Sequence, residues 1–204
     1  MDAKAHWEQV YTTKAPTQMS WHQEHLYLSL QLIQRTGMPR TGHLIDVGGG
    51  SSTLVDDLLA AGFQSITVLD ISATALQFVR ERLGTRANTV HWTEADITQA
   101  AFPHHFFDVW HDRAVFHFLT QPTDRQRYID RVRDAVRPGG HVIVASFALD
   151  GPQRCSGLDV MRYSPDSLHH EFGQGFALID SATEIHHTPF GTEQKFMYCF
   201  CRRE

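Results

Sequence analysis

The chain has 204 residues, 42% hydrophobic and 20% charged, with a net charge of -5 when its histidines are neutral. That length suits one domain with a sizeable core, and the acidic balance disfavours nucleic acid, whose phosphates call for a basic surface. No apolar run has the length of a membrane span, and the opening MDAKAHWEQVY lacks the basic and apolar regions of a secretory signal, so a cytoplasmic location is expected. Cys155, Cys199 and Cys201 are too few and oddly numbered for a disulfide framework, which fits a reducing compartment.

Residues 1–42 carry Trp7, Tyr11, Trp21 and the helical stripe HLYLSLQLIQ, and read as an N-terminal cap on a core spanning 43–204. The core opens with a strand at 44–47, three glycines, and a helix over 54–61. A second strand at 66–69 runs into Asp70. Ser72 then caps a helix, ATALQFVRERL, that stops at Gly84. NTVHW and FFDVWH read as the third and fourth strands. TDRQRYIDRVRDAV is amphipathic, with Tyr128, Ile129, Val132 and Val136 on one face, and Pro138 with its glycines forces a turn after it. HVIVASFA is continuously apolar, as a central buried strand should be. Ser164-Pro165 starts a further helix. FALIDSATEIHHT and EQKFMYCFCRR form a hairpin about a Pro-Phe-Gly turn. The alternation predicts an α/β domain with a mostly parallel sheet, helices on both faces and an antiparallel strand near the C-terminal edge.

Ligands of such sheets sit beyond the strand carboxyl ends, where Gly48, Gly49 and Gly50 fall. Dinucleotide loops follow G-x-G-x-x-G; Gly48 and Gly50 fit, but Thr53 stands third. Asp70 lies 20 residues past Gly50 (70 − 50), suited to a ribose hydroxyl, and Asp96 follows the third strand. Two acids at consecutive strand ends suit a ligand with a ribose and an exposed adenine amine but no phosphate. S-adenosylmethionine (SAM) is one, and aromatic faces and carboxylates stabilise its cationic sulfonium.

On LIDVGGGSS, VLDIS, EADI, FDVWHDRAVFHFL and VRPGGHVIVA, taken in order, the chain resembles class I SAM-dependent methyltransferases over nearly all its length. The resemblance implies a Rossmann-like seven-stranded sheet of order 3-2-1-4-5-7-6 with strand 7 antiparallel, and SAM as cofactor with S-adenosylhomocysteine (SAH) as product. It implies that Asp46 lies near the methionine end, that Gly48, Gly49, Gly50 and Ser52 line the cofactor, and that Asp70 binds the ribose. It further implies that Ile71, Ala95 and Ile97 pack on adenine, that Asp96 accepts from its amine, and that His111, Asp112 and Arg113 pass the methionine and donor methyl. Small members of the family carry an N-terminal segment like HWEQVYTTKAPTQMSWHQ, in which Trp7, Tyr11 and Trp21 would lid the cofactor; the alternative is plain packing of the N-terminal helix.

Methyl transfer from a sulfonium is an in-line displacement, so alignment and exclusion of water matter most, and a base only if the nucleophile arrives protonated. The catalytic candidates are His111, Arg113 and His117: a histidine to orient or deprotonate the acceptor, Arg113 to hold an anion or pair with Asp112. The competing reading makes His117 a half-buried satisfied residue and Arg113 a structural ion pair. Arg154 and Cys155 follow the fifth strand and can face the acceptor, which leaves open a thiol, sulfide or metalloid. No metal site is expected, since no histidines have H-x-x-x-H spacing on a convincing helix. Cys199 and Cys201 share a strand face and suit core packing. The expected partner is a small-molecule acceptor, with a protein lysine as the alternative. An NAD-dependent oxidoreductase is disfavoured by Thr53 and the second acid, and a non-catalytic SAM-binding module is a further rival.

Overall fold

A computed structural model describes residues 2–204. The sheet is built from β1 (His43–Val47), β2 (Ser65–Asp70), β3 (Val90–Glu94), β4 (Phe107–Arg113) and β5 (Val136–Phe147), then β8 (Phe176–His187) and β9 (Glu193–Arg203). A separate two-stranded ribbon, β6 (Arg154–Cys155) and β7 (Leu158–Asp159), intervenes. The sheet order is β3-β2-β1-β4-β5-β9-β8. Leaving out the ribbon, that is the expected 3-2-1-4-5-7-6. β1 to β5 pair in parallel, and β9 runs antiparallel to both β5 and β8.

Both faces are covered, and the period of two along each strand assigns the side chains. On one face, Leu44, Ile143 and Ala145 pack with Ile33, Leu58 and Val79 of α2 (Tyr27–Arg35), α3 (Leu54–Ala60) and α4 (Ala73–Leu83). On the other, Ile45, Val47, Val142 and Val144 pack with Ile129 and Val132 of α5 (Pro122–Ala135) and Leu168 of α6 (Pro165–Phe172). Truncating a fully buried Leu58 or Val132 to Ala would cost roughly 2–4 kcal/mol, by transfer and cavity terms together.

The helix signals hold in detail. Ser72 Oγ accepts from Ala75 N at 3.1 Å, and Gly84 closes α4 with φ +58°. Ser164 caps α6, with Pro165 first in the helix. The expected turn at Arg137–Gly140 is a bulge within β5: Phe107 pairs with Val136, but Val109 pairs with His141. Gly139, at φ +80°, lets the strand loop out and rejoin the sheet.

The N-terminal segment starts with α1 (Ala3–Thr13), which lies against α4. Glu8 of α1 caps that helix from outside: its carboxylate accepts from Ala73 N (2.7 Å), Ser72 Oγ (3.0 Å) and Thr74 N (3.3 Å). Ala73 N and Thr74 N are free backbone donors of a helix start, where negative charge is favoured. Among the described residues no helix is long and apolar enough to cross a membrane.

Candidate active site

The strand-to-helix bend after β1 is side-chain-free mainly because the protein's own groups occupy the space. A Cβ on Gly50 would lie 2.3 Å from Asp70 Oδ2, and one on Gly49 would lie 2.6 Å from Asp46 Oδ2. Gly48 has φ +70° and abuts Val115. Of the three, only Gly48 reaches a cavity wall; Gly49 and Gly50 make room for the two carboxylates instead.

A cavity of about 350 Å³ runs across the carboxyl ends of the strands, with a polar side pocket of about 30 Å³. Trp21, Gly48 and Arg113 line both. Asp70, Ile71, Ala95, Asp96 and Ile97 line the larger one, from the ends of β2 and β3. Asp70 is held by Ser72 N at 2.9 Å and Gly50 N at 3.0 Å, and burial pushes its carboxyl up to about 6. Asp96 Oδ1 accepts from Thr98 N and Oγ1, and Oδ2 accepts from Gln99 Nε2.

Aromatic side chains roof the larger cavity. Trp7 meets Phe118 at 5.0 Å and Trp21 at 6.0 Å between centroids, both edge-to-face, with Tyr11 beside them. Phe147 and Phe196, register partners on β5 and β9, lie 4.9 Å apart and close the opposite end with Cys155 and Leu158 of the ribbon. Burial raises the Cys155 thiol above its usual range. Arg154 is exposed and pairs with Asp159, outside the wall. Cys199 and Cys201 sit in the core, sulfur atoms 3.3 Å apart.

Asp46, Ser52, His111 and Arg113 line the side pocket. His111 is buried between Asp46 Oδ1 (2.7 Å from Nδ1) and Ser29 Oγ (2.9 Å from Nε2). Both ring nitrogens are thereby engaged, one by a carboxylate and one by a hydroxyl. Ser29 continues to the Tyr198 hydroxyl at 3.3 Å. Arg113 donates to Glu184 Oε2 from Nη2 (3.0 Å) and to Tyr198 from Nε (3.1 Å), with its guanidinium 4.0 Å above the Phe196 ring.

Besides Gly49 and Gly50, two expected site residues, Asp112 and His117, line neither cavity. Asp112 is buried and turned inward, where it accepts from Val115 N, Phe116 N and the Tyr128 hydroxyl and so anchors the turn after β4. An Asp112–Arg113 pair therefore does not form; alternate residues of a strand face opposite ways, and Glu184 stands on the arginine's side. His117 lies behind the wall, packed on Phe118 and Phe147. Neither of its ring nitrogens has a partner, and burial with Arg113 nearby pushes it down to about 3.

Sequence reasoning missed Thr98, Gln99, Val115, Phe118, Leu119, Phe147 and Phe196 as lining residues. Thr98 and Gln99 follow the EAD motif, a signal that was open to use. The apolar ones read as core, because hydrophobicity alone does not separate a packed face from a cavity wall.

The residues fit SAM. Carboxylates at the ends of β2 and β3 accept from hydroxyls and an amine, aromatic faces suit a sulfonium, and buried Asp46 Oδ2 has no hydrogen-bond partner of its own.

The sequence model of a family described as "Methyltransferase domain" matches residues 45–144. The eEF1A lysine and N-terminal methyltransferase of Mus musculus is 28% identical over 149 residues, 70% of this chain and 21% of that protein. The human counterpart is 25% identical over 149 residues. The chain thus spans about a fifth of the length of these relatives. Among solved structures, a protein reported for conversion of a disulfide bond into a thioacetal group during echinomycin biosynthesis superposes with TM-score 0.78, at 18% identity, over 98% of this chain and 92% of its own. Phospholethanolamine N-methyltransferase 2 of Haemonchus contortus, in complex with phosphomonomethylethanolamine and S-adenosylhomocysteine, gives 0.66 at 16% identity, over 87% of this chain and 52% of its own.

Proposed function

Taking the chain as a class I SAM-dependent methyltransferase, we propose that it methylates a small-molecule acceptor through a soft nucleophile such as a thiol, sulfide or metalloid. The observation that carries this reading is the cavity of about 350 Å³ at the strand carboxyl ends, acidic at the ends of β2 and β3 and apolar at the ends of β5 and β9. It has to take both donor and acceptor, and that volume is at the small end for ligand sites.

When bound, SAM supplies an activated methyl group on a sulfonium. Asp70 accepts from the ribose hydroxyls and Asp96 from the adenine amine, with Ile71, Ala95 and Ile97 packed against the ring. Asp46 and Ser52 receive the amino-acid end, with Asp46 Oδ2 free to accept. His111 is a positioning residue that fixes the Asp46 rotamer. Arg113 touches the acceptor. His117, walled off and neutral, holds up Phe118 and Phe147. Residues 1–42 act as lid to one catalytic domain, with Trp7, Tyr11 and Trp21 excluding water from the reacting atoms. The three cysteines are free, in keeping with a cytoplasmic setting.

A second reading, transfer to a protein lysine or N-terminal amine, is favoured by the likeness to the mouse and human relatives. Calorimetry with SAH, SAM and NAD, then a radiolabelled-methyl screen over thiols, sulfide, metalloids, amines and cell lysate, tests both. Tight SAH binding and label in a small thiol are expected. Label in a protein band alone supports the second reading, and NAD binding without SAH binding overturns both.

A further inference from the structure

The order of strands gives the cavity a charge axis. Neighbouring strand ends lie about 4.8 Å apart. In the order β3-β2-β1-β4-β5-β9, their ends bring Asp96, Asp70, Gly48, Arg113, Phe147 and Phe196 to the cavity in turn. Both of these carboxylates stand in the β3-β2-β1 half. The other half has Arg113, Phe118, Phe147, Cys155, Leu158 and Phe196; Asp124 and Arg127 of α5 also line the cavity, paired with each other at 3.3 Å. Glu184, the nearest acid to Arg113, is committed to that guanidinium and to Tyr198.

Neither histidine near Arg113 is placed to act as a base on the acceptor. His111 has both nitrogens engaged in hydrogen bonds, and His117 lies outside the wall. The other titratable groups on this cavity wall are Cys155 from the ribbon, Tyr11 from α1, and Asp124 and Arg127 of α5, which pair with each other, with Tyr198 of β9 and Glu184 of β8 behind Arg113. Burial raises Cys155 and Tyr11, and pushes Tyr198 up to about 12, so all three stay neutral near pH 7. Arg113 Nη1 has only a 3.5 Å contact with the Trp21 carbonyl and keeps donor capacity.

Resting on the methyltransferase reading, we propose that the acceptor is a small aromatic or apolar thiol that reacts as its thiolate, held against the Arg113 guanidinium without a protein base. An alkylammonium finds no free carboxylate beside Arg113, since Glu184 is committed to that guanidinium. An aliphatic alcohol cannot ionise unaided. A thiol ionises near neutral pH, and a neighbouring guanidinium favours its thiolate. The thiol gives its proton to water. Its sulfur then forms a bond to the methyl carbon as the sulfonium–methyl bond breaks, and that bond's electron pair stays on the donor sulfur, now a neutral thioether. Phe147 and Phe196 on the cavity wall suit an apolar body on the same molecule.

The test uses the whole protein with SAH and phenylmethanethiol, following the thiolate's ultraviolet absorbance against pH. Its apparent pKa is expected to fall by about one unit on binding, a tenfold gain in thiolate below it. The shift should vanish in R113Q/E184Q, which leaves no unpaired buried charge. With labelled SAM, phenylmethanethiol should outpace phenylmethanamine, phenol, benzoate and a lysine peptide by more than tenfold. An unshifted thiol, or equal or faster transfer to any other acceptor, overturns the assignment. SAH binding by calorimetry separates the two levels: binding with an unshifted thiol defeats only the acceptor, while absent binding defeats the donor reading as well.

Discussion

Asp46 presents one carboxylate oxygen to His111, 2.7 Å from Nδ1, and keeps the other buried with no partner. An unpaired buried oxygen costs about 1–3 kcal/mol, and a cationic amine entering the side pocket would relieve that. Asp46→Asn should therefore weaken SAH roughly 10- to 100-fold by calorimetry while the fold persists. His111→Ala should weaken it less, because it frees the Asp46 rotamer without removing its charge. Unchanged SAH affinity in Asp46→Asn removes Asp46 from the site.

Asp70 gives the site a pH dependence. Its carboxyl rises from 3.8 to about 6 because burial disfavours the charge. A raised pKa means that the protonated form contributes stability below pH 4 that is lost as pH rises through 6. Hydroxyl donors of a ribose favour the ionised form, so SAH affinity should fall about tenfold per unit as pH drops below 6. Asp70→Asn should bind weakly and lose that slope; a slope that survives the change assigns it to another group.

Gly50 tests whether the bend serves the carboxylates. Gly50→Ala puts a Cβ 2.3 Å from Asp70 Oδ2 and 2.6 Å from Ala75 Cβ. We expect a loss of about 1–3 kcal/mol of stability by overpacking, with SAH binding abolished through displaced Asp70. Gly62→Ala, which meets nothing within 4 Å but has φ +85°, is the control for backbone strain alone.

Glu8 links α1 to α4. Removing its bonds to Ala73 N, Ser72 Oγ and Thr74 N should cost about 1 kcal/mol of α1 docking, so, if α1 closes the site, Glu8→Ala should weaken SAH about fivefold. Proteolysis near residue 14 should speed up in parallel. Equal protease resistance in mutant and parent shows that the aromatic contacts alone hold α1 down.

His117 separates a packing role from a catalytic one. It is fully buried, unpartnered and pushed down to about 3, so it contributes stability above pH 6.5 that is lost as pH falls from there toward 3. His117→Phe should raise Tm, reduce acid sensitivity and keep turnover within about threefold of the parent. A hundredfold loss in turnover at full stability restores a chemical role.

The sequence by itself determined the order of the elements, the caps at Ser72 and Ser164, the glycine bend, and the acids Asp70 and Asp96 at strand ends. These are short-range facts: a period, a cap or a motif is written within a few neighbouring residues. The ribbon of β6 and β7 was not legible, since two-residue strands carry no period. Only the tertiary structure decided who meets whom. Arg113 finds Glu184, 71 residues on, because β9 inserts between β5 and β8. Asp112, one residue earlier, faces Tyr128 on the opposite side of the sheet. A strand sends neighbouring side chains to opposite faces, and which face meets the cavity depends on long-range pairing that no local pattern encodes.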